Sequence, residues 1–182
     1  MSHTQALLAE LHARLQPECS RIERLPNGLA LLLPLHPERP RQQVFGTVKL
    51  EPYAPAPDAL VELLTVEWIL FRDLPAPLPE QTIFRLHELS GLALFGRFYI
   101  NAERQLCCRY TCTAGSRPPA ETAELVELVC YEMLLFLNIH HDYLFLCVTA
   151  PEHLTAEEYL QRLSSAAEPE PPGSEREVEP YA

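Results

Sequence analysis

Cysteine is the residue type in this sequence most able to do chemistry, because a thiolate is both a nucleophile and a metal ligand. The chain has six cysteines, and no two of them form a Cys-x-x-Cys pair. Cys107 and Cys108 are adjacent, so on a strand their side chains point to opposite faces. A reactive thiolate needs a helix N-terminus or a cationic neighbour, and the sequence offers only Arg104 and Arg109. We expect free, buried thiols, with a disulfide or redox role and metal binding as the alternatives.

Histidine provides the best metal-like cluster, at His140-His141-Asp142. Neighbouring residues on a helix point about 100° apart, so the two imidazoles would not converge on one ion. We interpret the cluster as a solvent-facing helix end, where cationic histidine complements the negative helix C-terminus. No acidic spacing resembles a calcium loop, and we expect no cofactor.

Motifs of nucleotide binding and hydrolysis are missing from the sequence. It contains no P-loop, GxGxxG, GxSxG or HExxH pattern. Gly91, Gly96 and Gly115 are isolated, so the chain has no glycine-rich phosphate cradle. The sequence therefore favours a protein that is not an enzyme. A thiol- or metal-dependent enzyme of unknown reaction is the alternative.

Composition limits the class of partner. The 182 residues carry a formal net charge of -11, and 47% of them are apolar, ample for a core. An acidic surface repels phosphate backbones, which disfavours direct binding to nucleic acid or anionic lipid and attracts basic partners. No signal peptide is visible, and no apolar run approaches the roughly 20 residues of a membrane helix. We expect a cytoplasmic protein that does not contact membranes.

The N-terminal half predicts a helix followed by antiparallel strands. A leucine stripe indicates a helix from Thr4 to Leu15, with Thr4 as its N-cap. A turn at Pro26-Asn27-Gly28 joins strands at residues 21–25 and 29–35, and a third strand follows at residues 43–50. The prolines at positions 52, 55 and 57 predict another turn.

The middle of the chain contains one ambiguous segment. Residues 58–74 fit a helix or a long strand, and their strand-forming residues favour a strand from Val61 to Arg72. A helix from Glu80 to Gly91 follows, with Gly91 as its C-cap. The alternation from Phe95 to Cys112 then predicts a β-hairpin, because period two is the pleat of a strand.

The longest helix is predicted to begin near Ala120. Its polar positions fall within an arc of roughly 140°, so the helix either lies in the core or faces a second subunit. Residues 143–148 extend this helix or form a last strand, and Thr155 to Ser164 is a short terminal helix. We predict a single domain over residues 1–165 and an acidic, Pro/Glu-rich disordered tail over residues 166–182.

The order helix, antiparallel strands, helix, hairpin and long helix resembles the YbjN-domain proteins, whose fold is similar to that of type III secretion chaperones. In that family a helix often carries Asn before a G-x-F-x-hydrophobic strand, which an acidic turn follows. Gly96-Arg97-Phe98 and Asn101 to Glu103 fit this pattern, whereas His87 stands where the family often has Asn. The resemblance implies an α+β domain, with helices on one face of an antiparallel sheet, and a homodimer.

We expect a homodimeric adaptor or chaperone-like protein that binds a flexible segment of a partner through an apolar groove or an exposed sheet edge. A basic DNA- or RNA-binding protein is a candidate client, because the acidic surface would steer it. Any candidate for the apolar surface could instead be a core residue. The candidates are Leu7, Leu11 and Leu15 on the first helix, Leu31 and Leu33 on a strand, and Leu125, Leu128 and Leu135 on the long helix.

Overall fold

The computed structural model describes residues 2–35, 42–56, 59–115, 117–152, 157–159 and 161. In these residues the chain has the predicted α+β fold with an antiparallel sheet. The sheet has six strands in the order β1-β2-β3-β4-β6-β5. The strands are β1 (Arg21–Leu25), β2 (Gly28–Pro34), β3 (Gln43–Ala56), β4 (Ala59–Phe71), β5 (Arg97–Ile100) and β6 (Leu106–Thr113). The helices are α1 (His3–Leu15), α2 (Glu80–Leu92), α3 (Pro119–Ile139) and α4 (His141–Thr149).

The core packs against one face of the sheet, where alternate strand residues are buried. On β2, Leu29, Leu31 and Leu33 are buried, whereas the residues between them are partly exposed. The same face carries a row that crosses the sheet in register, and α1 and α3 pack over it with their own apolar stripes. The row contains Ile22, Leu31, Gly46, Trp68, Cys108 and Phe98.

The N-cap of the first helix lies two residues before the predicted one. Ser2 is the N-cap, and its hydroxyl accepts a hydrogen bond from the Gln5 backbone N–H at 3.2 Å. The Gln5 side chain accepts from the Ser2 N–H at 3.1 Å, which completes a capping box. The prediction of Thr4 as the N-cap was therefore wrong. The Thr4 hydroxyl instead donates a hydrogen bond to Glu62 at 2.8 Å, which connects α1 to β4.

The β3–β4 hairpin is longer than the sequence predicts. The ambiguous segment is a strand as expected, but β3 continues through Pro52, where a turn was predicted. Pro52 pairs with Glu62 in β4, and the pairing of β3 with β2 stops at Lys49, opposite the first residue of β2. In the described residues no strand therefore lies on the other side of the proline. A residue without an N–H is tolerated at such an edge. Pro57 and Asp58 lie outside the described residues.

The helix–hairpin–helix part of the chain agrees with prediction except at two boundaries. The α2 helix continues past Gly91, so Gly91 is not its C-cap, and Ala93 leaves the helix with an extended backbone. Gly96, with a φ of 83°, then turns the chain into β5. Residues 143–148 belong to the separate helix α4, because the backbone at His140 leaves the α conformation. Thus they neither extend α3 nor form a strand.

The C-terminal predictions are largely outside the described structure. Most of the expected helix from Thr155 to Ser164, and all of residues 166–182, lie beyond the described ranges. Within those ranges, no helix combines the length and the apolar character needed to cross a membrane.

Candidate partner-binding groove

The thiols are free, and most of them are buried, as predicted. Burial raises the pKa of Cys107 and of Cys147 to about 11, and the pKa of Cys108 and of Cys130 to about 12. A reactive cysteine needs a lowered thiol pKa instead. These thiols are therefore protonated near neutral pH and act as small apolar side chains in the core.

The predicted solvent-facing helix end was wrong for His140, whereas Asp142 in the same cluster is exposed. The His140 side chain lies at the junction of α3 and α4, and the residue is only 8% exposed. Its ring centroid lies 4.2 Å from that of Phe136 and 5.8 Å from that of Tyr159. Burial lowers the pKa of His140, which favours the neutral imidazole. In the described residues, no group of three His, Cys, Asp or Glu side chains is placed to hold a metal ion.

A polar cluster on the opposite face of the sheet joins β4, β5 and β6. The Tyr99 hydroxyl donates to Glu67 at 2.5 Å, and Arg109 Nε donates to the same carboxylate at 2.6 Å. The Arg109 guanidinium also lies over the Tyr99 ring, 4.5 Å from its centroid. Burial raises the pKa of Tyr99 most, and the hydrogen bond to Glu67 raises it further. The hydroxyl, the carboxylate and the guanidinium are thus partnered with one another, which is typical of a structural network rather than a reaction centre.

The eight leucines chosen from the sequence divide between core and surface. Leu7, Leu11 and Leu31 are at most 1% exposed, so a surface role was wrong for these three. They are enclosed because α1 and β2 both turn their leucine stripes into the same core. Leu15 and Leu33 are also buried, but they lie at the base of a groove. The three candidate leucines of α3 line the same groove, namely Leu125, Leu128 and Leu135.

The groove has a volume of about 810 Å³ and lies between α3, the C-terminal end of α1 and the end of β2. Its α3 wall belongs to an exposed apolar stripe, which we call the α3 seam: Leu128, Tyr131, Leu135 and Ile139. The first three line the groove, and Ile139 continues the stripe toward the C-terminal end of the helix. The four residues are 50%, 64%, 41% and 49% exposed, respectively. The opposite stripe of the same helix is in the core and includes Val126, Val129, Met133 and Leu137.

Tyr131 and Ile139 are the seam residues that reasoning from the sequence missed. The pattern showed a helix that is apolar on nearly every side, but it could not separate the stripe that faces the sheet from the stripe that faces outward. The 3- and 4-residue spacing from Leu128 to Tyr131 and on to Leu135 was the available signal. That spacing places the three side chains on one side of the helix.

Four carboxylates line the groove beside its apolar wall. We call this group the acidic rim, and it consists of Glu18, Glu121, Glu124 and Glu127. Arg14 is the one cation among the described lining residues, and its guanidinium lies 2.9 Å from Glu127 Oε2. The remaining three carboxylates have no salt bridge within the described structure. The groove therefore combines an apolar wall with uncompensated negative charge.

Fold and groove together define an α+β domain that presents an apolar helix face beside a cluster of carboxylates. No protein-family model matches the chain, and no curated protein is significantly similar to it. The resemblance to YbjN-domain proteins thus stays a prediction. The lining of the groove offers apolar contacts and hydrogen-bond acceptors, which are groups that suit binding.

Proposed function

We propose that this protein is a non-enzymatic adaptor or chaperone-like protein that holds a flexible segment of another protein in the α3 groove. The α3 seam is the observation that carries the proposal, because four large apolar side chains on one helix face remain uncovered. Contiguous exposed apolar patches in folded proteins commonly mark binding surfaces. A basic DNA- or RNA-binding protein is the kind of client that the acidic rim would attract.

We also propose that the protein is cytoplasmic. We further propose that it forms a homodimer, as the resemblance to YbjN-domain proteins and type III secretion chaperones implies. Light scattering over a concentration series tests the dimer. A mass that corresponds to two chains over the whole series would support it. The mass of one chain at the highest concentration would contradict it.

Site-specific photo-crosslinking tests the binding role directly. The photoreactive residue p-benzoylphenylalanine replaces Tyr131 in one variant and Tyr53 in a control, because Tyr53 is a similarly exposed tyrosine (51%) on β3. After irradiation in the source cells, mass spectrometry identifies any crosslinked peptide. We expect one segment of one other protein at position 131, and no such product at position 53. No crosslink at position 131, or the same products at both positions, would contradict the adaptor role.

A further inference from the structure

We infer that the occupant of the α3 groove is a basic amphipathic α-helix of the partner, laid along the α3 seam with its cations over the acidic rim. The inference rests on the proposed function, because it specifies the partner of the same site. Three features of the groove support it: the spacing of the seam, the backbone of its α3 wall and the charge of its rim.

The spacing of the α3 seam suits a helix. Leu128, Tyr131 and Leu135 follow one another by three and four residues, the pattern of an apolar coiled-coil seam. Side chains at these intervals form ridges and grooves that interdigitate with those of a second helix. From Leu128 to Ile139 the seam is about 16 Å long, so about three turns of a partner helix would cover it.

The α3 backbone disfavours an extended segment on this wall. A peptide that binds as a strand gains its affinity by hydrogen bonding to unpaired backbone groups at a sheet edge. Leu128 to Leu135 lie in the interior of α3, where the backbone groups are bonded within the helix. The wall therefore offers side-chain contacts only, which a helix exploits better than a strand.

The acidic rim determines the charge of the occupant. Glu121 lies in the first turn of α3, where the helix dipole favours a carboxylate. Glu124 and Glu18 have no such role, yet they also line the groove. Arg14 is already paired with Glu127, and it is the one cation among the described lining residues. Cations that would neutralise Glu121 and Glu124 therefore come from the occupant, as Lys or Arg near one end of its helix.

A second copy of this chain fits the groove poorly. In a parallel pair of α3 helices, Glu121 and Glu124 of one copy would oppose the same carboxylates of the other. In an antiparallel pair, they would oppose the apolar end of the seam near Ile139 and would be buried without a cation. Neither arrangement supplies the missing positive charge, so any homodimer would use another face.

Three labelled peptides of about 18 residues, long enough to span the seam, test the inference. The first has Leu at heptad positions a and d and Lys at the flanking positions. In the second Glu replaces Lys, and the third is the Lys peptide with a central Pro that breaks the helix. Fluorescence anisotropy with the full chain measures Kd. We expect the Lys peptide to bind at least about tenfold more tightly than either of the others.

Charge reversal locates the binding. We expect the double variant Glu121→Lys with Glu124→Lys to bind the Lys peptide about tenfold more weakly and the Glu peptide more tightly. The matched control, Glu51→Lys with Glu103→Lys, changes two exposed carboxylates outside the groove lining and should leave the ranking unchanged. An equal response of both double variants would overturn the inference, because the attraction would then come from net charge alone.

Other outcomes also overturn the inference. If the Pro peptide binds as tightly as the Lys peptide, the occupant need not be a helix. If none of the peptides binds, the stated chemistry is wrong, while crosslinking at position 131 still reports independently on the adaptor role. If Tyr131→Arg converts a dimer into a monomer in light scattering, a second copy occupies the seam.

Discussion

Gly46 and Trp68 are paired across β3 and β4, and the indole occupies the space that a side chain at position 46 would need. A Cβ added to Gly46 would lie 2.1 Å from the nearest ring carbon of Trp68. Trp68 is fully buried, so its ring cannot move into solvent. The glycine therefore allows the largest side chain of the core to lie flat against the sheet.

We expect Gly46→Ala to lower the free energy of unfolding by about 1–3 kcal/mol, because overpacked cores shift side chains and backbone. Urea denaturation measures the change. Gly91→Ala is the control, since a Cβ at this exposed helical position meets nothing within 4 Å. That substitution should stabilise the protein by roughly 0.5–1 kcal/mol, as alanine favours a helix. A neutral Gly46→Ala would contradict the described packing.

Two leucines of α3 test whether the seam is uncovered in solution. Leu128 is 50% exposed and Leu137 is 1% exposed on the same helix. We expect Leu137→Ala to destabilise the protein by about 2–5 kcal/mol, because it leaves a cavity. Leu128→Ala should cost only about 0.5 kcal/mol, as is usual for surface changes. Equal losses in urea denaturation would show that the seam is covered in the free protein.

The buried thiols predict a loss of stability at alkaline pH. The folded pKa values of Cys107, Cys108, Cys130 and Cys147 lie above the ordinary value of 9.0. The unfolded chain therefore releases these protons first, and the free energy of unfolding falls as pH rises above about 9. Below about pH 9 the protonated thiols contribute fully to the free energy of unfolding. Denaturation at a series of pH values should show this fall, and Cys130→Ala should make it shallower.

The same burial predicts slow thiol chemistry. With an aromatic disulfide reagent at neutral pH, we expect the native protein to react slowly and all six thiols to react quickly in denaturant. A single fast thiol in the native protein would instead favour the alternative, a thiol-dependent enzyme. Elemental analysis of the same sample tests the other alternative, a metal-dependent enzyme, which bound metal would favour.

His140 predicts a loss of stability on the acid side. Burial places its folded pKa below the ordinary value of 6.5, so the unfolded chain binds a proton at a higher pH than the folded chain. The contribution to stability is present above about pH 6.5 and is lost as pH falls. Comparison of the urea midpoints of wild type and His140→Gln from pH 8 down to about 5.5 should show their difference shrinking. A constant difference would contradict the burial of this imidazole.

Patterns repeated over many residues were predicted well from the sequence. Strand-forming residues identified β4, and period-two alternation identified the β5–β6 hairpin. Positions that depend on a neighbour far away in the chain were not predicted. Pro52 continues β3 because the pairing with β2 stops at Lys49, and His140 is buried because Phe136 and Tyr159 pack against it. A local pattern contains no information about such neighbours.

For the candidate site, the sequence identified the right helix but not its outer stripe. Leu125, Leu128 and Leu135 line the groove, whereas Leu7, Leu11 and Leu31 are in the core. All six are leucines at helical or strand spacing, so hydrophobicity alone cannot distinguish them. The separation arises from how α1 and α3 pack together, which is a tertiary property.

The two stripes of α3 have a kinetic consequence. Leu137 and Met133 anchor the inner stripe in the core, so the helix cannot tilt toward an occupant without disturbing close-packed side chains. The backbone of the groove is thus arranged before any partner arrives, and binding requires little reordering of this wall. Partners that differ in how well they fit the seam should then associate at similar rates and differ mainly in how long they stay bound.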